Sequence, residues 1–91
     1  MEQVRERVRT ALRSRFAGAD ILVEDIRPNK FIVTVVWEGF KGTDEPERQE
    51  QIWGVLREEF GDQDRDFLEL LNYLGFVLTW TEEEKAAYGV R

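Results

Sequence analysis

The chain of 91 residues has no cysteine and no histidine. The first absence excludes disulfides and thiolate nucleophiles, and the second excludes imidazole bases. Together they remove the usual ligands of zinc and iron–sulfur centres. Only carboxylates remain for a metal, and these suit hard cations. No apolar run approaches the roughly 20 residues of a membrane span. The opening "MEQVRERVRT" lacks the apolar core of a secretory signal, so a cytoplasmic location is expected. Internal repeats and low-complexity tracts are missing as well. With no nucleotide-binding loop either, no recognisable enzyme chemistry remains, and no cofactor is expected.

What is present reads as one ordinary globular domain, 42% hydrophobic and 35% charged. The net charge is −6, unevenly placed. Residues 1–16 carry Arg5, Arg7, Arg9, Arg13 and Arg15 against Glu2 and Glu6, a local +3. Residues 38–69 carry eleven acids against Lys41, Arg48, Arg57 and Arg65, a local −7. So acidic a chain is a poor general binder of nucleic acid, because phosphate neutralisation supplies most non-specific affinity.

Val4, Val8, Ala11, Leu12 and Phe16 make one helical stripe, so residues 2–16 read as an amphipathic helix ended by Gly18. Arg5, Arg9 and Arg13 form a second stripe: a solvated face, or a docking face for an acidic partner. "DILVEDI" (20–26) and "FIVTVVW" (31–37) read as strands, joined through the turn "RPNK" into an antiparallel hairpin. In the second strand Phe31, Val33, Val35 and Trp37 share one face, and Ile32, Thr34 and Val36 the other. A helix is expected at 45–60, with Asp44 and Glu47 at capping-box spacing and Pro46 in the first turn. "GDQD" breaks it. A short helix follows at 65–74, ended by Gly75, then a third strand at 76–80. "TEEEKAAYGVR" reads as a polar tail with at most one frayed helical turn. The fold class is α+β in the order α-β-β-α-α-β: a three-stranded sheet, mixed or antiparallel, with helices on one face.

That order is shared by type II KH domains and by the BolA family. Gly39-Phe40-Lys41-Gly42 spells the KH clamp for single-stranded nucleic acid, G-x-x-G. In type II KH domains that loop joins the two consecutive helices; here it lies one element earlier. Asp44, Glu45 and Glu47 follow it and would repel a phosphate. A structural role is expected instead, with Phe40 tucked over the sheet and Gly39 and Gly42 allowing positive φ.

The stretch resembles the BolA family. Val35-Val36-Trp37, then Phe40-Lys41-Gly42, then Glu47-Arg48-Gln49-Glu50-Gln51-Ile52-Trp53, then Leu56 and Glu58-Glu59 follow the family's V-V-S, F-x-G, E-R-H-R-x-V-Y and E-E run. "TEEE" (81–84) resembles its terminal T-P-E-E. The resemblance implies a BolA-like domain over 1–84 with a polar tail at 85–91. It also implies a regulatory or adaptor role and a monothiol glutaredoxin as partner, sometimes with a shared [2Fe–2S] cluster. The family's cluster ligand is a His just before the last strand, often with a Cys or His in the hairpin loop. Counting back from Thr81, the His position falls near Tyr73, and the hairpin loop is only "RPNK". Cluster sharing through family ligands is therefore expected to be lost. Gln49 and Glu50 also replace a basic pair that the family links to DNA contact.

Phe40, Gly42, Arg48, Trp53 and Tyr73 are the candidate partner-binding residues. Arg5, Arg9 and Arg13 would serve the alternative, a nucleic-acid-binding KH-like domain. A carboxylate-bound metal is a third reading: Asp62, Asp64 and Asp66 mimic the start of a calcium loop, but Phe67 and Tyr73 stand where Gly and Glu are needed. An acidic loop with Asp64 or Asp66 capping the next helix is the plainer reading. Glu58-Glu59 and Glu82-Glu83-Glu84 read as exposed helix and tail charges. Trp53, with Leu68 or Tyr73, could form a contact patch, and the outer sheet face could pair with another chain. A monomer or weak homodimer is expected.

Overall fold

Val4, Val8, Ala11 and Leu12, the apolar stripe of the first helix, are buried along the inner side of α1 (Glu2–Arg15). The computed structural model describes residues 2–61 and 64–87. After α1 come β1 (Asp20–Arg27), β2 (Lys30–Val36), α2 (Glu45–Phe60), α3 (Arg65–Tyr73), β3 (Leu74–Trp80) and α4 (Glu82–Ala87). The sheet order is β1-β2-β3. β1 and β2 pair antiparallel, with Val23 opposite Val33 and Asp20 opposite Val36. β3 pairs parallel to β2, with Val33 opposite Val77 and Val36 opposite Trp80. The sheet is thus mixed, as a crossover through two helices brings β3 back in the direction of β2.

Period-two alternation divides the sheet. Ile21, Phe31, Val33, Val35 and Val77 point inward and are buried with the stripes of α1 and α2 (Ile52, Val55, Leu56 and Phe60). Asp44 caps α2, its Oδ1 accepting from the Glu47 amide at 3.2 Å, and Pro46 sits in the first turn. Gly61, at φ +85°, ends that helix.

Three boundaries differ from expectation. Trp37 lies beyond β2, although its amide still donates to the Trp80 carbonyl at 2.9 Å. β3 begins at Leu74 rather than residue 76, because Leu74 pairs opposite Phe31 and is buried in the core. Gly75, expected to stop the helix, therefore sits inside the strand, where the register shifts between Phe31 and Val33. After Thr81 the chain forms α4 instead of a loose tail. The helix runs on past residue 84 to Ala87, and residues 88–91 lie outside the described ones.

Candidate functional site

The Gly39–Gly42 stretch folds inward. A 3-10 turn at Glu38–Phe40 carries the Phe40 ring into the core, 5.2 Å from Trp37 and 5.9 Å from Phe16 between ring centroids. Trp37 is fixed by its indole N–H, which donates to the Ala17 carbonyl at 2.9 Å. Gly42 takes φ +82°, as expected, but Gly39 does not have a positive φ. It is small for another reason: a Cβ there would run into the Trp37 indole. The amides of Phe40, Lys41 and Thr43 donate to the carbonyls of Trp37, Glu38 and Phe40 at 2.9–3.1 Å. With those donors used inside the turn, the loop is not arranged as a phosphate clamp.

Arg48 reaches back from the first turn of α2 into the same region and is only 6% exposed. Its five N–H donors all find acceptors. Nε donates to the Thr43 carbonyl at 2.8 Å. Nη2 donates to the Phe40 carbonyl at 3.1 Å and Glu84 Oε2 at 2.9 Å. Nη1 donates to Glu84 Oε1 at 2.7 Å and the Thr79 carbonyl at 3.5 Å. The guanidinium also lies 5.4 Å from the Phe40 ring centroid. This bidentate pair holds α4 to the domain.

Thr81 and Glu84 form a reciprocal capping box at the start of α4: Glu84 N–H donates to Thr81 Oγ1 at 3.1 Å, and Thr81 N–H to Glu84 Oε1 at 3.0 Å. The Arg48 hydrogen bonds, then the Thr81 amide, lower the Glu84 carboxyl from 4.5 to about 2. Glu84 is thus a fastened side chain, not the loose tail charge expected; the T-x-x-E spacing was the overlooked signal. Beside it, Gln49 Nε2 donates to the Val77 carbonyl at 2.9 Å, and Thr79 Oγ1 donates to Glu45 Oε1 at 2.7 Å. The start of α2 thereby covers the open edge of β3.

The arginine stripe of α1 is largely occupied. Arg5 pairs with Glu2 and, at 2.7 Å, with Asp25; Arg9 pairs with Glu6. Arg13 makes no ion pair among the described residues. Arg7 and Arg15, unremarked in the stripe, bridge α1 to its neighbours. Arg7 reaches Glu59 at 3.3 Å and Asp66 at 3.0 Å and covers the Phe60 ring at 4.2 Å, and Arg15 reaches Glu58. Asp66 is thus engaged by Arg7. Asp64 stands at the N-cap of α3 without a side-chain cap bond, and Asp62 lies outside the described residues. The described residues contain no group of three or more acids placed to hold a metal.

α3 is different. Only Leu70 is buried on it. Leu68 and Leu71, three apart, are 59% and 43% exposed. Phe67 is half-buried and meets half-buried Trp53 of α2 edge-on at 6.4 Å. Tyr73, also half-buried, is the last residue of α3, directly before β3. Of the five candidate contact residues, Phe40 and Arg48 face the interior, Gly42 is an exposed turn, and Trp53 and Tyr73 border the outside of α2 and α3.

No family model matches the chain, and no curated protein matches it by sequence. Among solved structures it is similar to BolA1 from Arabidopsis thaliana, at 22% identity and a TM-score of 0.67, covering 92% of this chain and 98% of that one. The fold is BolA-like. The BolA-like resemblance places a cluster ligand just before β3, where this chain has the Tyr73 phenol, and a second in the hairpin turn, which here is Arg27-Pro28-Asn29-Lys30. Neither offers an imidazole or a thiolate, so these residues do not fit a [2Fe–2S] cluster. No helix among the described residues is long and apolar enough to cross a membrane.

Proposed function

We propose that the chain is a non-enzymatic BolA-like regulatory or adaptor module that binds a protein partner of the monothiol glutaredoxin type and adds no cluster ligand of its own. The observation that carries this reading is the surface of α3. On a BolA-like fold, Leu68 and Leu71 stand exposed beside the half-buried Phe67–Trp53 pair. Large apolar side chains that a small domain leaves outside its core are suited to a partner's surface. The lack of Cys and His supports an adaptor over a cluster carrier. The ion pairs of Arg5 and Arg9 weigh against the nucleic-acid alternative, since phosphate would have to displace Glu2, Asp25 and Glu6.

Isothermal titration with the monothiol glutaredoxin of the same organism tests the proposal. Binding is expected with the apo form, weakened about tenfold, or about 1.4 kcal/mol, by combined Leu68→Ser and Leu71→Ser changes. Absence of binding to both apo and cluster-loaded glutaredoxin would overturn it.

A further inference from the structure

On the face of the sheet opposite the α1 and α2 stripes, Thr34 and Val36 at the centre are buried, while apolar side chains around them stay exposed. The pairing register sets its rows: Asp20, Val36 and Trp80; Leu22, Thr34 and Leu78; Glu24 and Ile32. Leu22 is 47% exposed, and Phe76, pointing the same way from the shifted part of β3, is 50% exposed. Ile26 is also exposed, and its tip lies over Gly75, close to Ile32. An open groove of about 400 Å³ runs over this floor.

Four charged side chains border the groove. Arg5, Arg7, Arg9, Arg15 and Arg48 are all held in ion pairs within the chain. Asp20, Glu24, Arg13 and Lys85 line the groove, and none of them makes an ion pair among the described residues. The two acids lie on β1, at one edge of the sheet. Lys85 belongs to α4, which follows and packs on β3, at the other edge.

We infer that this face is a self-association surface whose occupant is a second copy of the chain. The charge distribution selects the arrangement. A two-fold axis parallel to the strands lays β1 of one copy over β3 of the other, so Asp20 and Glu24 meet Lys85 of the second copy twice over. An axis across the strands would stack β1 on β1 and acid on acid. Leu22 then packs over Leu78, and the acids over the Lys85 edge. Strand spacing and rise make the face about 14 Å by 23 Å, roughly 330 Å² per copy, well under the ~800 Å² of a standard interface. The dimer is accordingly weak and concentration-dependent. This surface is separate from the α3 surface assigned to the protein partner.

Sedimentation and amide shifts over a dilution series reaching about 1 mM test it. The expected mass rises from 10.8 kDa toward twice that value. Amide shifts should fall on residues 20–26, 32–36 and 76–80. Lys85→Glu is expected to weaken association about fivefold, and mixing it with an Asp20→Lys/Glu24→Lys chain to restore it. A mass of 10.8 kDa throughout the series would overturn the inference. Association indifferent to Lys85→Glu, or shifts confined to α3, would do so as well.

Discussion

On the inner face of the sheet Phe31, Val33 and Val35 are fully buried, whereas on the outer face Leu22, Ile26 and Phe76 leave about half of each side chain in water. Both faces are built from β-branched, aliphatic and aromatic residues, so residue type does not separate them. What separates them is cover. α1 and α2 bring Leu12, Ile52, Leu56 and Phe60 to the inner face, and Arg48, Gln49 and Glu45 seal the β3 edge next to it. On the outer face Thr34 and Val36 are covered as well, but Leu22, Ile26 and Phe76 are not. A small chain has helices enough to bury one side of its sheet, and the apolar remainder is the surface it can offer to others.

The contrast can be broken most severely from within. Phe31→Ala removes a fully buried ring and is expected to cost about 3–5 kcal/mol in urea unfolding. Arg48→Met strands the Phe40, Thr43 and Thr79 carbonyls and frees Glu84, for an expected loss of about 3 kcal/mol and release of α4, visible as fast amide exchange at residues 82–87.

A gentler perturbation of the same clasp is acid. The folded Glu84 carboxyl is depressed from 4.5 to about 2, so its contribution is complete above about pH 4.5 and is lost as pH falls through about 2. The protection of the α4 amides, taken relative to intrinsic exchange at each pH, should fall from pH 5 to 2 in the wild-type chain, and Glu84→Gln should show low protection throughout. The smallest expected effect is outside: Phe76→Ser should shift stability by no more than about 0.5 kcal/mol while weakening self-association. A loss at Phe76 as large as that at Phe31 would erase the distinction between the faces.

Much of this was legible in advance. The α1 stripe, the hairpin around Pro28-Asn29, the Asp44 cap and the inward set Phe31, Val33 and Val35 follow from local periodicity and capping chemistry, which act within a few residues. What local rules could not supply was long-range. Gly75 looks like a helix stop but is drawn into β3, whose first residue, Leu74, pairs opposite Phe31. Glu84 looks like a tail charge until Arg48, 36 positions earlier, reaches it. Arg48 itself resembles a surface cation, and only the saturation of all five donors shows it as an interior one. For the site, Trp53 and Tyr73 lie half-buried on α2 and α3, while the exposure of Leu71 depended on how α3 rolls against α2, which no single-helix pattern encodes.

Amide-shift mapping of the ¹⁵N-labelled chain with its monothiol glutaredoxin tests the adaptor reading most directly, because one spectrum reports both faces at once. Shifts on Trp53 and residues 67–73, with Leu22 and Glu24 unmoved, are the expected result. A spectrum unchanged by apo and cluster-loaded glutaredoxin alike, or shifts confined to the outer strands, would contradict it.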